Sequence, residues 1–333
     1  MASDVKITIT MVKPIGNIGF GCPLILEENA TAAKDFAKYS SLSDLVTAGY
    51  TTESKVYKAA QLMFMQDHAP NEIAVCSATT AAETWLAVED NVSKSWRQLV
   101  VINSSASADT TTNVAGIMAA IEAQTTYPKM YYANLDYDDE TELTVTGIER
   151  TVLCYYTPTE DIPVPVAALA GEIGGLTVGS YTINNMIIKG VPGMELSQQE
   201  IEAIHDKGGI TFVLSAGDVV MSEGHSAGGV FVDQTDGNDY IKQQLEYKTQ
   251  KVFNNNLKVP YTNAGIAMLE AAAIDVMTDA QNKTIVESFT VAYGLRENTT
   301  AADRAARRYV DGNISYIMAG AIHTIEIACE VSI

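Results

Sequence analysis

Gln98-Leu99-Val100-Val101-Ile102-Asn103 is an unbroken apolar run closed by polar groups at both ends, and it reads as a β-strand. Its neighbours in sequence decide the fold class. Upstream, Glu72–Ser77 is a second short apolar strand and Ala81–Glu89 reads as a helix. Downstream, Asp109–Ala123 repeats Val114, Ile117, Met118 and Ile121 at helical spacing, and Met130–Leu135 supplies a third strand. Strand, helix, strand, helix, strand is the order of an α/β layer with a mainly parallel sheet. Residues 53–67 add a helix ahead of it, with Val56, Ala59, Ala60, Met63 and Phe64 on its apolar face.

The rest of the chain is read in the same way. Residues 163–174 start at Pro163 and Pro165 and continue as an Ala-rich helix to Gly174-Gly175. Ser197-Gln198-Gln199-Glu200 is a capping box, in which Ser197 accepts from the Glu200 backbone N–H while the Glu200 carboxylate reaches back. That helix ends at Gly208-Gly209, and Ile210–Leu214 reads as a strand. Asp239–Phe253 and Asn263–Ala280 are predicted helices, the second with a stripe of Ile266, Leu269, Ala273 and Val276. Thr300–Val310 is predicted as a short helix, and from Asn313 the chain is extended to its end.

Both termini carry strand patterns. Val5, Ile7 and Ile9 alternate with polar residues; Ile325, Ile327, Cys329, Val331 and Ile333 do the same at the other end. Chain ends usually fray and are unpatterned. These two strands either complete the chain's own sheet or add to the sheet of a neighbouring copy. The pattern alone leaves both readings open. Between the first strand and the body, Gly16, Gly19 and Gly21 read as a flexible joint. They fit neither GxGxxG opening a helix nor a Gly-Lys-Ser/Thr phosphate loop.

With 333 residues, 47% of them hydrophobic, the chain can bury large cores. Its formal charge is −20, which argues against a nucleic-acid partner and against an anionic membrane surface. Residues 1–238 hold 12 basic against 30 acidic side chains, a net of −18, whereas residues 239–333 are nearly balanced at −2. That asymmetry suggests a final third facing different surroundings, or two domains of different composition. Cys22, Cys76, Cys154 and Cys329 show no metal or redox spacing and read as reduced, mostly buried thiols. Met1-Ala2-Ser3-Asp4-Val5-Lys6 lacks the charged and apolar regions of a signal peptide, so none is expected, and no apolar run is long enough to span a bilayer. His68, His205, His225 and His323 lack zinc spacing, no GxSxG elbow occurs, and the acidic run Asp136–Glu140 is not an EF-hand loop. No cofactor, metal or catalytic group is expected.

Several segments together resemble a known family. They are Asp239-Tyr240-Ile241-Lys242-Gln243-Gln244-Leu245-Glu246-Tyr247-Lys248-Thr249-Gln250-Lys251, then Lys258-Val259-Pro260-Tyr261-Thr262-Asn263-Ala264-Gly265-Ile266-Ala267-Met268-Leu269-Glu270, then Ala302-Asp303-Arg304-Ala305-Ala306-Arg307-Arg308-Tyr309-Val310. These are similar to the C-terminal part of the sheath proteins of contractile phage tails and phage-tail-like bacteriocins, in the form found in Gram-positive hosts. Ser43-Asp44-Leu45, Lys55–Phe64, Lys189-Gly190-Val191 and Leu196–Gly209 resemble earlier parts of the family more loosely.

The resemblance implies a structural, non-enzymatic subunit that polymerises with itself as stacked six-fold rings around an inner tube, then contracts to drive the tube through a cell envelope. Baseplate and tail terminator proteins are implied partners, and synthesis in a bacterial host cytoplasm before assembly into a tail is implied. The expected fold is α/β, α+β overall. An N-terminal arm with hinge (1–21) leads to an outer α/β domain with a mixed sheet (22–190). An inner α+β domain (191–322) is completed by strands from neighbours, and a donated strand (323–333) ends the chain. The resemblance assigns Val5, Ile7, Ile9, Ile325, Ile327, Val331 and Ile333 to strand donation, and Gly16, Gly19 and Gly21 to the arm hinge. Arg304, Arg307 and Arg308 are candidates for touching the tube or a neighbour, or for pairing locally with Asp303 or Asp311. The competing readings are a soluble α/β enzyme or ligand-binding protein with internally paired termini, and another phage structural element such as a tube or baseplate protein.

Overall fold

A computed structural model describes residues 19–104, 113–138 and 143–323. Its centre is a seven-stranded sheet. In chain order the body comprises β1 (Leu24–Glu28), β2 (Lys34–Tyr39), α1 (Leu42–Thr47), α2 (Lys55–Phe64), β3 (Ile73–Ser77) and α3 (Thr84–Asn91). Then come β4 (Gln98–Asn103), α4 (Val114–Glu122), β5 (Met130–Leu135), β6 (Thr151–Tyr155), α5 (Val166–Gly175), α6 (Gln198–Asp206) and β7 (Gly209–Ile210). The strand order is β2-β3-β1-β4-β5-β6-β7, parallel throughout except for the edge strand β2. The sheet is therefore mixed, as expected.

Alternation along the buried strands sorts side chains into two cores. Ile25, Val75, Val100, Ile102, Tyr132 and Cys154 face α1, α2 and α5. Leu24, Cys76, Leu99, Val101, Tyr131 and Leu153 face α3, α4 and α6. The α4 residues picked by spacing, Val114, Ile117, Met118 and Ile121, are all buried. Close helix packing on the first face requires Gly171, because a Cβ there would lie 2.4 Å from Met63 Cα. Cys22, Cys76 and Cys154 are buried free thiols.

Ser197 forms the predicted capping box at α6, with Ser197 N–H donating to Glu200 Oε2 at 2.7 Å. The single strand expected at Ile210–Leu214 is divided between two sheets. Ile210 pairs with β6, and Phe212–Ser215 (β8) forms a hairpin with β9 (Asp218–Met221). Thr211 makes the break, its hydroxyl donating to Tyr155 O at 2.7 Å while its N–H donates to Ser222 Oγ at 3.0 Å. Residues from both sides of the 190/191 limit share one core: Ile183, Ile188 and Val191 pack with Ile210, Phe212, Met221 and Val232.

A smaller lobe follows. The long helix α7 (Val232–Asn255) begins seven residues before the sequence suggested, and runs antiparallel beside α8 (Asn263–Asn282). β10 (Val286–Tyr293) and β11 (Gly312–Met318) form a two-stranded antiparallel sheet on this helix pair. Between them lies α9 (Ala301–Ala305), which stops well before the expected Val310 because Arg307 takes a left-handed backbone, φ 55°.

Candidate functional site

The two-stranded β10–β11 sheet buries one face and exposes the other. Phe289 sits opposite Tyr316 and Val291 opposite Ile314, and these side chains face Ile241, Leu245, Ala273, Val276 and Met277 of α7 and α8. Two strands alone are marginal in water, so this apolar contact is what holds them. Ser288, Thr290, Ala292, Ser315 and Ile317 face outward and are exposed. Among the described residues each strand has one neighbour only, so one long edge of each has no strand opposite it. Natural sheets usually cover or charge such edges. Here the lobe also exposes Ile317, Ile322, Leu295 and Val310.

The N-terminal root lies beside this lobe, and the last described residue returns to the body. Phe20 packs against its core and meets Tyr240 edge-on, with ring centroids 6.3 Å apart. His323 is held by Thr182 Oγ1 at 3.0 Å, Glu223 Oε1 at 3.0 Å and the Phe231 ring at 4.7 Å. The strand-donation candidates Val5, Ile7, Ile9, Ile325, Ile327, Val331 and Ile333 lie outside the described residues, as does Gly16.

Gly19 and Gly21 are described, and each holds a left-handed backbone, φ 88° and 89°. A Cβ on Gly19 would lie 2.0 Å from Trp96 N, so this glycine serves a fixed close approach. Cys22 N–H donates to Gly19 O at 3.2 Å, closing a turn across both glycines.

The three arginines do not converge on one outward site. Arg304 folds back, its guanidinium donating to Thr299 O and, at 3.2 Å, to Thr299 Oγ1. Arg308 pairs with Asp303 Oδ1 at 2.7 Å, the local pairing weighed from the sequence. The Thr300 hydroxyl and then Arg308 hold the Asp303 carboxyl below its usual value. Arg307 is exposed and its side chain has no hydrogen-bond or ion-pair partner among the described residues. Next to them, Tyr309 stacks on Tyr293 at 5.7 Å, and burial followed by the Asp311 charge pushes its phenol up to about 12.

A buried ionic seam joins lobe to body. Arg97, fully buried at the start of β4, donates from Nε to Asp236 Oδ1 at 3.0 Å and pairs through its terminal nitrogen with Asp239 Oδ2 at 2.7 Å. Arg150 grips Asp239 with two bonds of 2.6 and 3.0 Å, and Tyr181 O–H donates to Asp236 Oδ2 at 2.5 Å. Burial works against the Asp239 charge, yet Arg97 and Arg150 outweigh it and hold the carboxyl below its usual value. No local sequence signal marks this seam, because its bonded partners are 55 or more residues apart. The hairpin edge did carry a signal: Phe289, Val291 and Tyr293 alternate with Thr290 and Ala292.

A cavity of about 310 Å³ opens at the seam, lined by Tyr181, Thr182, Asp233, Gln234, Ile285 and Met318 among others. Burial pushes the Asp233 carboxyl up. Among the described residues no three His, Cys, Asp or Glu side chains gather to ligate a metal. Among them, too, no helix is long and apolar enough to cross a membrane.

No protein-family model matches the chain, and no curated protein matches it in sequence. Solved structures do match. The helical sheath of the anti-feeding prophage in its contracted state aligns over 99% of this chain and 98% of its own, with TM-score 0.70 and 12% identity. The sheath complex of an extracellular contractile injection system, PVC, also contracted, aligns over 100% and 98%, with TM-score 0.71 and 12% identity. The sheath tail protein of Listeria innocua aligns over 86% and 90%, with TM-score 0.53 and 9% identity. At such identities the likeness establishes a shared fold, and it spans body and lobe alike.

Proposed function

We propose that this chain is the subunit of a contractile sheath: it polymerises as stacked six-fold rings around an inner tube and shortens to push the tube through a target envelope. The observation that carries the reading is end-to-end likeness to two contracted sheaths, together with a two-stranded sheet whose outer edges have no strand opposite them among the described residues. Val5–Thr10 and Ile325–Ile333 are the strands that would complete that sheet on neighbouring copies. Their alternate apolar side chains would match the inner face set by Phe289, Val291 and Tyr316.

Each backbone hydrogen bond so formed contributes about 0.5–1.5 kcal/mol net, so a shared strand keeps copies tethered while their bodies reorient. An interface between copies that does not close into a ring extends as a helical filament. Gly19 and Gly21 hold a turn against the body, which leaves Gly16, outside the described residues, as the hinge candidate of the arm. Arg307, exposed and unengaged, is the best placed of the three arginines to meet the tube or a neighbour. The near-neutral final third would line the inside of the sleeve and the acidic first two-thirds the outside. Tube, baseplate and terminator proteins are the partners that such a sleeve needs.

The test is negative-stain microscopy of the purified chain at micromolar concentration, alone and seeded with tail tubes. Sheath-like tubes are expected. Deleting residues 325–333 should abolish them while leaving the circular dichroism spectrum of the body unchanged. A chain that stays monomeric with seeds, or a deletion that unfolds the body, would refute the proposal.

A further inference from the structure

The N-terminal segment does not join the body at its edge. Two residues after the Gly19–Cys22 turn the chain enters β1, which lies inside the sheet with parallel β3 on one side and parallel β4 on the other. The β4 ladder runs its whole length, from Leu24 opposite Leu99 to Glu28 opposite Asn103, and the β3 ladder runs from Leu24 opposite Ala74 to Glu27 opposite Ser77. Pulling such a strand along its axis loads two rows of hydrogen bonds together, in shear. An edge strand pulled sideways would instead lose its bonds one at a time.

The approach to β1 is clamped as well. Ala74 N–H donates to Pro23 O at 2.7 Å, and Arg97 N–H donates to Cys22 O at 3.0 Å. Gly19 is lodged against the Trp96 backbone. Phe20 covers the Arg97 guanidinium, 5.0 Å from ring centre to Cζ, and meets Tyr240 of α7 edge-on. Arg97 in turn grips Asp236 and Asp239 of the same helix, and the Tyr240 hydroxyl donates to Asp279 of α8 at 2.8 Å. One aromatic ring therefore touches both the body's buried arginine and the lobe's long helix.

We infer that residues 19–28 are a mechanical anchor, in which Phe20 delivers tension on the N-terminal segment to α7 at the same time as β1 delivers it to the sheet. The sheath reading supplies the source of the tension; the anchor itself is a property of the single chain. With the clamp in place, body and lobe take up a pull together. Without it the pull enters the body alone, and the seam at Arg97 must drag the lobe behind.

Single-molecule force spectroscopy on the full chain tests this with two tether geometries. Both use a peptide tag in the loop after α7. The second tether is at the N-terminus in one geometry and in the Ala216-Gly217 turn in the other, which bypasses the anchor. In the N-terminal geometry, Phe20→Ala is expected to raise the unfolding rate at fixed force about tenfold. In the bypass geometry the same variant should stay within about twofold of wild type.

Equal changes in both geometries, or none in either, would overturn the anchor. So would wild-type traces in which residues 19–23 strip away at low force before the body yields. Phe20→Leu keeps apolar volume and removes the ring, and it replaces Phe20→Ala if that variant does not fold; failure of both to fold would reduce Phe20 to ordinary core packing and overturn the proposal. The measurement uses isolated chains, so its failure leaves the microscopy test of assembly standing, and absence of tubes leaves the force result standing.

Discussion

Replacing Arg97 by Met tests whether the ionic seam is the joint between body and lobe. Arg97 is wholly buried, and the Asp236 side chain is 1% exposed. The substitution leaves Asp236 with only the Tyr181 hydroxyl, while Asp239 keeps its two bonds from Arg150. One carboxylate thus loses its counter-charge without gaining water, and breaking a buried pair in this way costs about 3–5 kcal/mol. The carbonyl of Pro128 also loses its donor, which was 2.9 Å away.

Replacing both members, as Arg97→Met with Asp236→Leu, removes the stranded charge. The remaining loss is the orphaned Tyr181 hydroxyl and the Pro128 carbonyl, about 1–3 kcal/mol each at most. The two single variants should therefore sum to about 2–4 kcal/mol more than the double variant. Urea titration, followed by Trp fluorescence and far-UV circular dichroism, measures this at concentrations too low for assembly to contribute. Single effects that add to within about 0.5 kcal/mol would show the two groups to be independent and refute the seam.

Burial, and then the neighbouring Arg97 charge, push the Lys129 ammonium down to about 7 from 10.5. The unfolded chain then holds more protons between those values, so stability should rise with pH from about 7 to about 10 and Lys129→Met should flatten the rise in a pH series of urea titrations. Asp239 gives the opposite limit: its folded carboxyl lies below 3.8, so its contribution is present above that value and is lost as pH falls through the folded one. Gly171→Leu should cost at least about 1–3 kcal/mol by forcing α5 off Met63, read as a lowered thermal midpoint of the dilute chain. Changing Arg304, Arg307 and Arg308 together to Glu should weaken assembly on tail tubes, counted by microscopy; unchanged assembly would retire these arginines as a contact, and Arg307→Glu alone should account for most of the loss.

The parallel centre of the fold was legible because its strands are apolar on both faces. Gln98–Asn103 and Met130–Leu135 fall on their predicted bounds, and the α4 stripe is buried residue for residue. The start of α7 was hidden for a physical reason. Asp233, Asp236 and Gly237 are poor helix formers, and Asp236 is held there by Arg97, a residue 139 positions away. Tertiary pairing overrode local preference. In Ile210–Leu214 a continuous apolar pattern hid the change of sheet, since both halves are buried at its centre and only the Thr211 hydrogen bonds mark the corner. At Arg307 the helical pattern continued but the backbone did not. The arginine cluster looked like one site because its members are close in sequence, yet three side chains leave α9 and its exit in three different environments.

The packing of the sulfur atoms has a practical outcome. Burial pushes the Cys22 thiol up to about 11 and Cys76 up to about 12, and it raises Cys154 as well. Oxidants and maleimides attack the thiolate, a form that none of these three offers near neutrality. On transfer of the chain from a reducing to an aerated medium these three stay as inert filler. With Cys329, which lies outside the described residues, replaced by Ser, a cysteine engineered onto the outer face of β10 would take up a dye in strong preference to these three, letting that strand be watched while the buried sulfur stays in place.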